Sequence, residues 1–326
     1  MRIEFLTLSA SSRLPSTSRG GVVSLGKFDG VHRGHAAVLK RVKEHSVRLG
    51  TSSIAATFTV QPIAILRPHL VPASLCTFHR KADLIDEIGV ETLVQIQTDE
   101  ELLKLSASDF FERFFVEKMG VKMLVEGSNF TFGKDRNGTP VLLSELCEKH
   151  GIELEIVAPM LVEENPISSS RIRALIQDGE IAAANTMLTQ PYRLTGSVVH
   201  GEHRGRTLGF PTANLDDIHT ILPKPGIYAC SCKIGGKTYP TATHIGINPT
   251  FGGDQPKIEA YVIGFEGDLY GQMIHVDFHK RIRDIIKFDS PEMLIEQMNR
   301  DIREVSTMCE RAGGRAQRSP RVNPIF

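Results

Sequence analysis

Charge of one sign is what this sequence lacks. Its 38 Lys and Arg residues are matched by 38 Asp and Glu, so the formal net charge is +0. No global field then gathers nucleic acid or an anionic membrane, and any chemistry on anions has to be local; the same balance leaves self-association open. The opening MRIEFLTLSASSRLPSTSRG has no uninterrupted apolar core of the kind a signal peptide carries, and no run of about 18 apolar residues is present to span a bilayer. The expectation is a cytoplasmic protein with neither a membrane nor a nucleic acid as partner. Cysteine is scarce and poorly spaced for ligation: Cys76, Cys147, Cys230, Cys232 and Cys309 are odd in number and form no C-x-x-C pair, against a disulfide framework or a zinc site. Cys230 and Cys232, two apart in an expected strand, share a face and read as packing residues.

What is there suits two domains. The chain of 326 residues, 41% apolar and 23% charged, has an ordinary globular composition, at roughly 150 residues per domain. From residue 21 to about 185, short apolar runs such as GVVSL and TLVQI alternate with stretches of helical period, a pattern that predicts a parallel sheet. Strands are expected at 54–58, 92–96, 122–126 and 152–157, a helix at 35–49 ending at Gly50, and two short helices over 168–188. After Pro191 the texture becomes rich in Gly, Thr and Pro. Strands near 193–200, 227–233, 237–246, 258–265 and 273–281 follow without a long helix between them, as in a closed antiparallel barrel. Ser290 and Pro291 then open a helix, and the end of the chain, without period, reads as a disordered tail. The fold class is therefore α/β plus β, with domains at 1–188 and 189–310 and a tail at 311–326.

Four segments carry chemistry. After the first strand of the alternating region comes Gly26-Lys27-Phe28-Asp29-Gly30-Val31-His32-Arg33-Gly34-His35, running into a helix. Glycines admit a ligand close to the backbone, the helix N-terminus offers free N–H groups, and His32 and His35 present imidazoles there: a triphosphate cradle. A bare glycine-rich turn with incidental histidines is the plain alternative. Gly127-Ser128-Asn129-Phe130-Thr131-Phe132-Gly133 follows a second strand, where ligands gather, and Ser168-Ser169-Ser170-Arg171-Ile172-Arg173 opens a helix whose hydroxyls and Arg173 suit phosphate oxygens. In the barrel half, Gly201, Gly205 and Gly209 lead into Thr212 and Asn214, whose neutral oxygens suit Mg²⁺ alongside ATP. Glu259, an acid in an expected strand, suits a general base acting on an alcohol.

Taken in order, G-x-F-D-G-x-H-x-G-H, G-x-N-F-x-F-G-x-x-R-x-G and I-S-S-x-x-I-R over about 20–188 resemble the adenylyltransferase module of bacterial bifunctional riboflavin kinase/FAD synthetases. G-R-x-L-G-F-P-T-A-N, N-P-T-F, the following Glu and D-L-Y-G over about 190–305 resemble riboflavin kinase. The resemblance implies a Rossmann-like nucleotidyltransferase domain before a small Greek-key barrel. Riboflavin would be phosphorylated to FMN in the barrel, and FMN adenylylated to FAD in the first domain, with ATP and Mg²⁺. By the same resemblance His32, His35 and Asn129 act in adenylylation, and Gly26, Phe28, Asp29, Gly34, Ser169, Ser170 and Arg173 surround its nucleotide. Glu259 would activate the ribityl hydroxyl, Gly205, Gly209, Thr212 and Asn214 would bind ATP, and Thr212 and Asn214 the metal.

One departure motivates an alternative. Phe58-Thr59-Val60-Gln61-Pro62 stands where many relatives read F-x-P-H-P, so a riboflavin kinase with a degenerate, binding-only N-terminal domain is the second reading. A nucleotidyltransferase with a barrel binding an oligonucleotide is a third, although the barrel lacks the basic and aromatic interleaving that such binding needs.

Overall fold

In the computed structural model of the chain, residues 1–7, 14–15, 18–60, 62–201, 209–247 and 256–316 are described. They form two compact units, Met1–Ser169 with Met187–Thr189, and Ser170–Thr186 with Gln190–Phe326.

The first unit is built in the order β1 (Arg2–Leu6), β2 (Val22–Leu25), α1 (Arg33–Leu49), β3 (Ser53–Phe58), α2 (Pro62–Leu66), α3 (Phe78–Ile88) and β4 (Thr92–Ile96). It continues through α4 (Glu100–Lys104), α5 (Ala107–Phe110), a π-helical turn at Phe111–Lys118, β5 (Met123–Gly127), α6 (Pro140–His150) and β6 (Glu153–Val157). Six strands lie in the order β1-β4-β3-β2-β5-β6, and every pairing is parallel. From β2 the chain builds outward one way through β3 and β4 and later the other way through β5 and β6. The carboxyl ends of β2 and β5 therefore flank the switch point, the place in such a sheet where a ligand finds a crevice. Strands buried on both faces need continuous apolar runs, which VVSL, TLVQI and MLVEG supply.

The helix expected at 35–49 is α1, closed at Gly50, whose amide donates back to the last turn. Its Leu39 packs with Phe28 and Val31 against Ala82 and Ile85 of α3, while Val42 meets Val22, Met123 and Val125. These contacts press the residues just after β2 between the sheet and two helices. The sequence reading had no strand at 2–6; there β1 forms an edge strand on β4, and its Phe5 is 69% exposed, so little apolar periodicity marks it. A two-stranded ribbon, β7 (Leu161–Val162) and β8 (Asn165–Pro166), completes this unit before α7 (Ser169–Gln177) and α8 (Ile181–Met187).

The second unit contains β9 (Tyr192–Val199), β10 (Ala213–Asp216), β11 (Gly226–Ile234), β12 (Lys237–Ile247), β13 (Pro256–Val262), β14 (Met273–Arg283) and the closing helix α9 (Pro291–Ala316). Its strands close into an antiparallel barrel, β10-β13-β12-β11-β14-β9. β11, β12 and β13 are joined as successive neighbours and β14 returns beside β11, the Greek-key arrangement. Tyr228, Cys230, Cys232, Val276 and Phe278 fill the core, with the rings of Tyr228 and Phe278 5.3 Å apart. The sequence expected five strands here; β10 is a sixth, too short and too close to the glycine-rich segment to show a period.

Among the described cysteines, Cys76, Cys147, Cys230 and Cys232 are buried and form no disulfide, and burial lifts the thiols of Cys76 and Cys232 to about 11 and of Cys147 to about 12. The packing reading of Cys230 and Cys232 holds. α7 and α8 were expected with the sheet, whereas all but their outer ends group with the barrel. Asn185 of α8 explains it, donating to the Phe278 carbonyl at 2.8 Å and accepting from the Tyr192 amide at 2.9 Å. Arg283 of β14 pairs with buried Asp301 of α9 at 2.6 Å, and the helix runs on to Ala316, into the segment expected as tail; residues 317–326 lie outside the described residues.

Candidate active sites

At the switch point the β2–β5 ladder registers Val22 with Met123 and Val23 with Leu124. Beyond it a side chain takes over: the Leu25 amide donates to Oε1 of Glu126 at 2.7 Å, and the Ser24 hydroxyl lies 3.5 Å from Oε2. Glu126 is 2% exposed, and burial pushes its carboxyl well above the usual carboxylate range, against the pull of those two donors. A buried acid with a raised pKa thus fixes the end of β2, one residue before Gly26.

The chain then turns tightly. Phe28, Gly30 and Val31 all have positive φ, at 46°, 75° and 37°. For a β-branched residue such as Val31 this costs on the order of 1–3 kcal/mol, and such strain persists only where the surroundings enforce it. They do so here. The Asp29 carboxylate accepts the Leu75 amide at 2.9 Å, the Gly30 amide meets Sγ of Cys76 at 3.2 Å, and the hydroxyls of Ser169 and Thr189 donate to the carbonyls of Asp29 and Val31. Phe28 and Asp29 are buried at 2% and 3%, so both brace the loop from within.

The strained turn delivers His32 to the N-cap of α1, where its Nδ1 accepts the His35 amide at 3.2 Å. The two imidazoles stack at 3.6 Å, with Phe28 edge-on to His35. A Cβ on Gly34 would stand only 3.1 Å from the His32 ring, so glycine leaves room for the stack. Burial lowers His32 to about 4 and holds His35 well below the ordinary histidine range, helped by His32 and Lys81 nearby. Both rings are neutral near pH 7. Because Nδ1 of His32 accepts, its proton sits on Nε2, as a hydrogen-bond donor. Nδ1 of His35 is buried with no hydrogen-bond partner in the described structure.

On the neighbouring strand end, Phe132 and Gly138 pair across the Gly127–Gly138 loop, the Phe130 and Phe132 rings stack at 5.5 Å, and Arg136 donates to the Thr131 hydroxyl at 2.9 Å. Asn129 is held exposed at its start. Thus the two motifs singled out by pattern sit at adjacent strand ends. Ser169 joins them through Asp29, while Ser170 and Arg173 follow on α7, in the second unit.

In the barrel, one cross-strand row gathers the chemistry. Glu259 of β13 registers with Asn214 of β10 on one side and His244 of β12 on the other. Their strand neighbours Ala213, Leu215, Ile245, Ile258 and Ala260 are buried, so the row faces outward. Oε2 of Glu259 lies 3.2 Å from Nδ1 of His244 and Oε1 lies 3.1 Å from Nζ of Lys257. The His244 hydrogen bond and then Lys257 hold the carboxyl below the usual range despite partial burial. A Cβ on Gly201 would collide with the Asn214 amide, which is why the glycine-rich segment starts as it does. Thr212 and Asn214 are both half-buried. Gly209 has φ 85°, while Gly205 and Asn248–Phe251 lie outside the described residues.

Pattern reading missed Glu126, His244 and Lys257. Glu126 left a signal, an acid inside the otherwise apolar MLVEG; His244 left none, because only the register places it beside an acid fifteen residues on.

Family models match in both halves: FAD synthetase over residues 14–171 and riboflavin kinase over 188–309. The chain is 34% identical to a bifunctional riboflavin kinase/FMN adenylyltransferase of Pseudomonas fluorescens over 285 residues, 87% of this chain and 91% of that protein. The chain belongs to the bifunctional riboflavin kinase/FMN adenylyltransferase family. A Bacillus subtilis member is 35% identical over 87% of this chain and 90% of its own, and an Escherichia coli member 32% identical over 86% and 90%. A solved Streptococcus pneumoniae structure, described as a macrolide-efflux protein, matches with a TM-score of 0.79 at 30% identity, covering 91% of this chain and 97% of that one. Among the described residues here, no helix is long and apolar enough to cross a membrane. In the family's terms the histidine loop lies within the FAD synthetase match and the Glu259 row within the riboflavin kinase match.

Proposed function

We propose that the barrel unit phosphorylates riboflavin to FMN with ATP and that the sheet unit joins FMN to the adenylyl group of a second ATP, giving FAD and pyrophosphate. The observation that carries this reading is that each matched domain holds its own group suited to its step: paired neutral imidazoles in one, an ionised carboxylate in the other. A monofunctional kinase is not favoured, since the relatives named as bifunctional align across both halves. The altered loop remains anchored, with the Thr98 amide donating to Oγ1 of Thr59 at 3.2 Å and the Thr98 hydroxyl to the Val60 carbonyl at 2.6 Å.

For adenylylation, an oxygen of the FMN phosphate forms a bond to the α-phosphorus of ATP as the bond to the bridging oxygen breaks. The nucleophile is already anionic and needs no base, so catalysis is positioning and charge stabilisation. Gly26, Phe28, Asp29 and Gly34 shape the loop, the α1 amides and Nε2–H of His32 face the triphosphate with His35, and the charge gained by pyrophosphate falls there. Asn129 orients the flavin phosphate, and Ser169, bonded to the Asp29 carbonyl within the same unit, assists at the polyphosphate.

For phosphorylation, Glu259 takes the proton of the ribityl hydroxyl as its oxygen bonds the γ-phosphorus and ADP leaves. Gly205 and Gly209 belong to the segment that binds the nucleotide. The oxygen atoms of Thr212 and Asn214, hard donors two residues apart and both half-buried, would hold Mg²⁺, which when bound would neutralise phosphate charge. The adenylylating module corresponds to the match over 14–171 and the kinase module to that over 188–309, and the protein works in the cytoplasm on small molecules.

Incubation with riboflavin, ATP and Mg²⁺, with the flavins separated over time, tests the reading. FMN that rises first and then yields FAD is expected; FMN alone would leave a kinase with an inert partner domain, and unchanged riboflavin would overturn both assignments.

A further inference from the structure

Glu259 does not stand alone in its row. Oε2 faces Nδ1 of His244 at 3.2 Å across the β12–β13 ladder, and Oε1 faces Nζ of Lys257 two residues earlier on its own strand. An ionised carboxylate can only accept, so Nδ1 of His244 carries the proton of that bond. On the far side of the ring, a Cβ on Gly246 would stand 2.7 Å from Nε2 of His244. Glycine at 246 therefore lets the backbone lie against the imidazole and limits its swing. On β11 the residue opposite His244 is Ile227, apolar and unable to compete for the proton. Asn214, across the other ladder, is uncharged. His244 and Lys257 are thus the charged or titratable groups that act on Glu259 among the described residues.

We propose that His244 is a positioning residue of the kinase reaction, its Nδ1–H fixing one carboxylate oxygen of Glu259 so that the carboxylate is held in the Asn214 row to receive the ribityl proton. This rests on the reading of Glu259 as the base. A glutamate carboxylate turns freely about its last bond unless something grips it. Lys257 is a flexible point charge and grips weakly in orientation, whereas a ring held by its own ladder position and by the Gly246 backbone sets direction. The same bond keeps the carboxylate ionised to lower pH, which ties the geometry to a measurable profile.

The test compares His244→Ala, His244→Asn and Glu259→Gln in the full-length protein, following FMN formation from riboflavin across pH. His244→Ala is expected to lower kcat by about tenfold, the scale of one hydrogen bond to a charged group, with the KM for ATP little changed. Its acidic limb should move to higher pH. His244→Asn places an amide N–H where Nδ1 stood and should restore most of the rate. A wild-type kcat and an unmoved acidic limb in His244→Ala would overturn the proposal. Glu259→Gln separates the two readings: full FMN output there removes the base itself, whereas a dead Glu259→Gln beside a normal His244→Ala removes only the positioning role. Should Ala at 244 unfold the barrel by thermal melting, His244→Gln fills the site with its amide one bond farther out, and the proposal requires it to show the lowered kcat and shifted limb that Asn does not.

Discussion

The two histidines of the sheet unit are cheap to bury only because they are neutral, and neutrality is what makes them useful. An imidazolium pair stacked at 3.6 Å would repel; two neutral rings tolerate it and leave Nε2–H of His32 to meet an oxygen. Binding a polyphosphate then adds hydrogen bonds without first displacing a counterion. Replacing His32 and His35 together by Ala is expected to reduce FAD formation from supplied FMN by at least about a hundredfold, the scale of losing preorganised donors at the leaving group, while riboflavin phosphorylation continues. Unchanged FAD output would sink the cradle. The strain at Val31 belongs to the same scale, since it is the residue that turns the chain into the N-cap.

Between elements, the decisive contact is the one that ends the β2–β5 ladder. Burial holds the Glu126 carboxyl above its ordinary range in the folded state, so its contribution to the stability of the sheet unit is full below the ordinary carboxylate range and falls as pH rises from there toward the raised value. Glu126→Gln keeps an oxygen for the Leu25 amide and removes the titration. The thermal midpoint of the variant should then hold as pH rises above the ordinary carboxylate range, where that of the wild type falls; an identical pH slope in the variant would show that Glu126 does not titrate as burial predicts. Legibility in the sequence divides along the same line. Alternating runs such as TLVQI and the period of α1 reflect burial of local segments, so strands β2 to β6 and the barrel's longer strands were readable. Strand β10 and edge strand β1 were not, because one is four residues long and the other exposes Phe5. Loops with glycines and histidines announced the sites, but the Glu259 grip depends on cross-strand register, which no local pattern encodes.

At the scale of the molecule, two folds with different rules share one chain: an open parallel sheet that offers a crevice where its strand order reverses, and a closed Greek key that carries its chemistry on the outside of the barrel. Each brings its own motif set, yet α7, which carries Ser169, Ser170 and Arg173 of the first set, groups with the barrel from Ser170 on, as does most of α8, whose Asn185 bonds to it. The buried thiols give this arrangement a clock. Cys76 and Cys147 lie in one unit, Cys230 and Cys232 in the other, all shielded and all with thiols raised by burial wherever a shift is resolved. A thiol reagent can reach them only when the unit around them opens. In a Cys309→Ser background, labelling followed by peptide mapping should therefore show two pairs of reaction times, one per unit, with FMN slowing the pair in the sheet unit and riboflavin with ATP the pair in the barrel. A single shared rate for all four would mean that the two halves open as one body.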